Sequence, residues 1–264
     1  MSQLAKAQPG DDVSIEFCRA GYRLGGGATL LNNVNFSVRR GETLVLLGRS
    51  GAGKTTALRL INRLVDPSEG EVFVERRRTV DWDPIALRRH IGYVIQETGL
   101  FPHYTVEKNI SLVPRLERWT DQQIRTRTQE LLTLVGLDPA IFLKRYPHEL
   151  SGGQRQRVGV ARALAANPPI LLMDEPFGAL DPLTRAEIRA EFQTLQRQLG
   201  KAIVLVTHDT GEALLLGTRI ALMEAGELKG LYSPQELLGS EEPVAAAYVD
   251  QLRALEKFDR GGGR

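Results

Sequence analysis

Nine residues, GRSGAGKTT at 48–56, combine what a bound triphosphate needs. Gly48, Gly53, Lys54 and Thr55 satisfy G-x-x-x-x-G-K-[ST], after the apolar run TLVLL and at the start of a helical pattern. In that setting glycines let backbone N–H groups turn inward around phosphate oxygens. Ser50, Gly51, Ala52 and Thr56 complete the cradle, Lys54 brings positive charge to the β- and γ-phosphates, and Thr55 offers a hydroxyl to Mg2+. A second feature, PPILLMDEP at 168–176, is an apolar strand ending in two acids. Side chains alternate along a strand, so Asp174 and Glu175 are expected to diverge. Asp174 then suits the metal, and Glu175 suits a base that takes a proton from attacking water. A third, LSGGQ at 150–154, sets two glycines before a helix, a ready anion site. It has no lysine, so it can only add N–H groups, the Ser151 hydroxyl and a helix dipole to a site built elsewhere.

These groups need a scaffold. The chain has 264 residues, 42% hydrophobic and 25% charged, ordinary values for a globular protein. A net charge of +2 lacks the basic stripe of a nucleic-acid binder, and Arg76-Arg77-Arg78 reads as a solvated loop. The one cysteine, Cys18, rules out an internal disulfide or multi-cysteine zinc site and reads as a small buried residue in the strand VSIEFC. The N-terminal MSQLAKAQPGDD has no apolar signal core, and the runs LVLL and AIVLV are too short to cross a bilayer. The expected location is cytoplasmic, with any membrane role acting through a partner.

Apolar runs predict strands at 13–18, 43–47, 91–95, 169–173, 202–207 and 219–223. Helices are predicted from Lys54 through KTTALRLINRL, from a Thr120–Gln123 capping box to Gly136, and from Asp181 as N-cap to Gly200. The last places Ile188, Phe192, Leu195 and Leu199 on one face. Strands alternating with helices predict a mainly parallel sheet. Residues 97–150 carry helical patterns and no convincing strand, and read as a helical insertion. The GGGR tail reads as frayed.

On these motifs the sequence resembles the ATP-binding subunit of an ABC transporter, over about residues 13–250. GRSGAGKTT is similar to Walker A, ILLMDEP to Walker B and LSGGQ to the ABC signature. Gln96 in YVIQETG matches the Q-loop, ALD at 179–181 the D-loop, and His208 in VTHD the switch histidine. Tyr22 stands where the family places an aromatic that stacks on adenine. The resemblance implies an α/β fold: a P-loop NTPase ABC ATPase core with a mainly parallel sheet, an N-terminal antiparallel β region and an inserted helical subdomain. Residues 1–264 would form a single domain, with a RecA-like core of about 1–96 and 165–264 and a helical subdomain of about 97–164. ATP and Mg2+ are the implied cofactors. Lys54, Glu175 and His208 would be catalytic, with His208 contacting the γ-phosphate and helping the attacking water. Thr55, Gln96 and Asp174 would hold the metal, and Gln96 would link the core to the helical lobe. Two copies would close head to tail, so that Ser151, Gly152, Gly153 and Gln154 complete the site on the other copy and Asp181 couples the two sites. The residues alone leave a cis arrangement open.

A narrower resemblance lies in INRLVDPSEG, in LRRHIGYVIQETGLFPHYTVEKNISLVP and in the text around the signature. It is to ATPase subunits of osmoprotectant importers, which take up glycine betaine, choline, carnitine or proline-type solutes. The implied partners are a second ATPase subunit, in a homodimer, membrane permease subunits and, indirectly, a solute-binding protein, with no nucleic acid. The chain would then sit on the inner face of the cell membrane through the permease. The alternatives are another ABC importer, an exporter or lipid transporter, or a soluble ABC ATPase acting on DNA or ribosomes. A single cassette without extended heptads or a basic stripe argues against the last. There are four departures from the pattern. Regulatory CBS domains, frequent in that group, are not expected within these 264 residues, ERRR at 75–78 replaces an Asn-Gly-type turn, Gly211 stands where an acid is common, and LYSPQEL replaces a Gly-Thr-Pro or Gly-Ser-Pro turn.

Overall fold

Alternate residues of the central apolar runs face opposite ways, and each way leads to a separate core. The computed structural model describes residues 12–96 and 99–261. The readings of the N-terminal segment to residue 11, of 97–98 and of the last three residues lie outside these. The strands are β1 (Val13–Arg23), β2 (Thr29–Arg39), β3 (Thr43–Leu47), β4 (Glu69–Val74), β5 (Arg77–Arg78), β6 (Ile91–Val94), β7 (Ile170–Asp174), β8 (Ala202–Thr207), β9 (Arg219–Glu224) and β10 (Glu227–Tyr232). The helices are α1 (Lys54–Ile61), α2 (Pro84–His90), α3 (Val106–Ile110), α4 (Leu112–Leu116), α5 (Asp121–Leu134), α6 (Pro139–Phe142), α7 (Gly152–Ala163), α8 (Pro182–Leu199), α9 (Thr210–Leu216), α10 (Pro234–Leu238) and α11 (Pro243–Gly261).

One sheet has the order β10-β9-β3-β8-β7-β6, parallel except for β10, which pairs antiparallel with β9. The other, β2-β1-β4-β5, is antiparallel. β3, β7 and β8 are buried along their whole length, as parallel strands covered on both faces must be. Leu44, Leu46, Leu172 and Val204 join a core with α1 and the antiparallel sheet. Val45, Leu47, Met173 and Leu205 join a second core with α5, α7 and α8. In that core the rings of Phe177 and Phe192 meet edge to face, 6.0 Å apart at 62°. No strand lies between β6 and β7 among the described residues; α3 to α7 fill that interval. No helix among them is long and apolar enough to cross a membrane.

The predicted strands of the parallel sheet are all present. β2, β4 and β10 carried no apolar run and were not predicted. Their burial alternates or is slight, and β1 and β2 are interrupted by bulges, with Arg19 and Asn33 both at φ 49°. β1 runs on to Arg23 rather than stopping at Cys18, and Cys18 is half-buried rather than buried. Its side chain falls on the less covered face of a strand whose other face meets the core. α1 ends at Ile61, short of the predicted Leu64, and Arg63 takes φ 52° just beyond. The helix from the Thr120 capping box and the helix from Asp181 to Gly200 form as predicted.

The ERRR segment keeps a tight hairpin although it lacks Asn-Gly. Val74 pairs with Arg77, leaving a two-residue loop in which Glu75 and Arg76 take φ 48° and 63°. Positive φ at both positions is the type I′ requirement, costly for residues with a Cβ. Arg77 and Arg78 extend the strand, and Arg78 pairs with Glu71 and Asp81. Arg76→Gly is therefore expected to stabilise the chain by about 0.5–1 kcal/mol, the relief of left-handed strain less the flexibility of glycine. Urea unfolding would show this as a higher midpoint with an unchanged slope.

Candidate active site

The site is assembled at the carboxyl ends of three adjacent parallel strands. Leu47 lies beside Thr207 and Asp174 beside Val206, so the loops leaving β3, β7 and β8 start level with one another. That edge is where open α/β sheets bind ligands.

The loop after β3 wraps the start of α1. Gly53 caps the helix at φ 94°, and a Cβ there would lie 2.6 Å from the Leu30 carbonyl oxygen. No side chain caps α1 and no acid occupies its first turn, so its leading N–H groups are open to an anion. Lys54 is 5% exposed, and its ammonium donates to the carbonyls of Gly48 at 2.7 Å and Arg49 at 2.9 Å. Burial lowers its pKa, while Glu175 and Asp174 act in the opposite direction. Thr55 donates its hydroxyl to Asp174 Oδ1 at 3.0 Å, and Tyr93 donates to Oδ2 at 3.4 Å. Burial holds the Asp174 carboxyl above the usual range, with the Thr55 hydrogen bond pulling it back. Burial, aided by the Asp174 charge, also raises the Tyr93 phenol.

Asp174 and Glu175 do diverge, but not through strand alternation. β7 ends at Asp174, and Glu175 turns away at φ 43°. The Glu175 N–H is anchored on the Val206 carbonyl at 3.0 Å, and its Oε2 lies 3.2 Å from His208 Nδ1. The His208 side chain is 62% exposed. Gly48 to Thr56, Asp174, Glu175 and His208 are thus one constellation.

The remaining predicted residues lie around it. Gln96 is exposed in a turn just past β6. Tyr22 on β1 is partly buried and pairs across the sheet with Leu31, the residue whose side chain crowds Gly53. Ser151, Gly152, Gly153 and Gln154 start α7 and pack on the start of α8, where a Cβ on Gly153 would lie 2.7 Å from Thr184 Cγ2. Asp181 caps α8 by accepting the Thr184 N–H at 3.1 Å, and hydrogen bonds to Thr184 depress its carboxyl pKa. Ser151 Oγ accepts the Gln154 N–H at 3.2 Å, and Gln154 Oε1 accepts the Ser151 N–H at 3.0 Å, a complete capping box. The cap uses a lone pair of Ser151, and the residue is exposed to solvent.

Sequence reasoning missed Tyr93 and Asn109. Tyr93 lies in the run that ends at Gln96, but nothing local marks it as a partner of Asp174. Asn109 is fully buried and organises the loop before α3: it accepts the Phe101 N–H at 2.8 Å and donates to the carbonyls of Phe101, Tyr104 and Thr105. The signal was an asparagine on the apolar face of a short helical pattern.

The family model for ABC transporters matches residues 31–178. The chain belongs to the ABC transporter family. It is 54% identical, over 88% of its length, to the choline transport ATP-binding protein OpuBA of Bacillus subtilis, and covers 60% of that protein. It is 50% identical to the osmoprotectant import ATP-binding protein OsmV of Salmonella typhimurium, over 86% of this chain and 60% of the relative. It thus spans about three-fifths of the length of these two relatives. The glycine betaine uptake system ATP-binding protein YehX of Escherichia coli is 47% identical, over 85% of this chain and 72% of the relative. Among solved structures, an ATP-binding cassette dimer in a post-hydrolysis state with ADP and Pi matches with a TM-score of 0.73 and 36% identity, over 83% of this chain and 98% of that one. The Gly-Lys-Thr loop and the Asp-Glu strand end lie inside the residues that the family model matches.

The capping box makes Ser151 a structural residue whatever else it touches. Ser151→Ala is expected to cost about 1 kcal/mol of stability, measured by urea unfolding of the nucleotide-free chain.

Proposed function

We propose that this chain is the ATP-hydrolysing subunit of an ABC importer, powering uptake of a quaternary-amine or osmoprotectant solute through a separate membrane permease. The pairing of Glu175 with His208, 3.2 Å apart at the edge of the phosphate loop, carries the hydrolytic part of this reading. The identities to choline and osmoprotectant ATP-binding proteins support the transport part.

The chemistry follows from the placement of the groups. The open N–H groups of α1 and the Lys54 ammonium receive the phosphates, and Lys54 exchanges its two loop carbonyls for phosphate oxygens. Thr55 and Asp174 present neighbouring oxygens 3.0 Å apart, a donor set suited to a hard cation such as Mg2+. Thr55 and Asp174, with Gln96, would hold such an ion. When bound, the cation would supply charge neutralisation for the transferring phosphoryl group. Glu175 takes the proton of the water that attacks the γ-phosphorus, and His208 aligns Glu175 and contacts the γ-phosphate. Bond breaking at the β–γ bridge then releases ADP and phosphate.

Tyr22 is assigned to the adenine, and Ser151 to Gln154 to the γ-phosphate held by a second copy, with Asp181 coupling the two sites. The exposure of Ser151 at the start of α7 supports this assignment. Phe101, 40% exposed, and Tyr104 pack against each other at a tilt of 43°, 5.4 Å between centroids, on the loop after Gln96. With α3 to α7 they form the proposed permease-docking surface, which would hold the chain at the inner face of the membrane.

Glu175→Gln is expected to bind ATP as the parent does while hydrolysing it about 10²–10⁴-fold more slowly, the usual contribution of a general base. Nucleotide binding and phosphate release, measured on one preparation, check this, and near-normal hydrolysis would remove Glu175 from the reaction. Replacing Phe101 and Tyr104 together by Ser should abolish co-purification with the permease without changing the melting temperature by more than about 3 °C.

A further inference from the structure

Two loops must stay in register for the hydrolytic reading, the one leaving β7 with Glu175 and the one leaving β8 with His208. Both are tied to α8. Arg185 donates to the carbonyls of Leu180 at 2.8 Å and Gly178 at 3.4 Å, in the loop that follows Glu175. One turn further along, Arg189 donates to Asp209 Oδ2 at 2.8 Å and to Glu212 Oε1 at 3.0 Å. Glu212 is 4% exposed, and its second oxygen accepts the Thr207 hydroxyl at 2.5 Å. Thr207 Oγ1 accepts the Asp209 N–H at 3.0 Å, and Asp209 Oδ1 accepts the Glu212 N–H at 2.9 Å. The residues on either side of His208 are therefore both bonded into the carboxylate pair that Arg189 neutralises. His208 itself is largely exposed, so its position depends on this loop rather than on packing around the ring. A cavity of about 40 Å3 between the loops, bordered by Glu175, Arg185, His208 and Asp209, has room for a bridging water.

We infer that Arg189 is a positioning residue for hydrolysis, clamping the 207–209 loop so that His208 stays against Glu175. Without it, Asp209 and the buried Glu212 face each other with no counter-charge, and the loop must rearrange to separate or hydrate them. The clamp acts on the geometry of the reacting groups and not on the nucleotide cradle, which is built from other elements. Its loss should therefore appear in kcat and spare the KM for ATP.

The test rests on the hydrolytic reading and uses the full chain in steady-state ATP hydrolysis. Arg189→Met is compared with Arg189→Lys and with Arg219→Met. Arg219 pairs with Glu42 at 2.9 Å at the opposite, amino-terminal edge of the sheet, so its loss tests for a merely structural effect. Arg189→Met is expected to lower kcat about tenfold or more with KM within about twofold, and Arg189→Lys to recover part of the loss. Arg219→Met should lose comparable thermal stability and keep its kcat. An unchanged kcat in Arg189→Met, or an equal kcat loss in Arg219→Met, overturns the inference. If the methionine variant does not fold, the lysine variant decides: reduced kcat at unchanged KM supports the clamp, and parental kcat refutes it. Absence of hydrolysis by the parent chain would instead defeat the reading on which the inference rests.

Discussion

The register of β3, β8 and β7 is the constraint on which the rest depends. Five buried residues of β3 align with β8, and β8 with β7, so that three loops leave the sheet at one height. A slip of one residue in β7 would exchange the two faces of that strand, moving Met173 and Leu172 into each other's cores. It would also carry Asp174 away from Thr55. The apolar packing that stabilises the sheet and the placement of its polar edge are therefore one requirement, and a mutation that relaxes the first disturbs the second.

That edge is electrostatically demanding. Lys54, Asp174 and Glu175 lie close together, with the first two nearly inaccessible to solvent. Burial opposes charge on both Lys54 and Asp174, and each is compensated by hydrogen bonds, Lys54 to backbone carbonyls and Asp174 from Thr55 and Tyr93. The pair Arg189 and Glu212 repeats the pattern one layer away. Such clusters are weak sources of stability but strict about geometry, because removal of one partner strands the other.

Much of this was legible in the sequence, for physical reasons. A phosphate loop must follow a strand and open a helix, so its residues are contiguous and their spacing is diagnostic. Buried parallel strands are short continuous apolar runs, and all of those in the parallel sheet could be read. β2, β4 and β10 could not, because they cover only one face and are interrupted by bulges and polar residues such as Asn32, Asn33 and Asn35. The divergence of Asp174 and Glu175 was foreseen but for the wrong cause, since the φ of 43° at Glu175 depends on its anchor to Val206, some thirty residues away. Tyr93, Asn109 and Arg189 act through contacts distant in sequence or through loops without regular pattern, and no local spacing points to them.

The bonds from Lys54 to Gly48 and Arg49 have a consequence for exchange. The loop supplies its own oxygens to the Lys54 ammonium, which ties the side chain to the turn that precedes its helix. Under the proposed function a nucleotide would have to displace two internal acceptors of the Lys54 ammonium, which sets a cost against its binding.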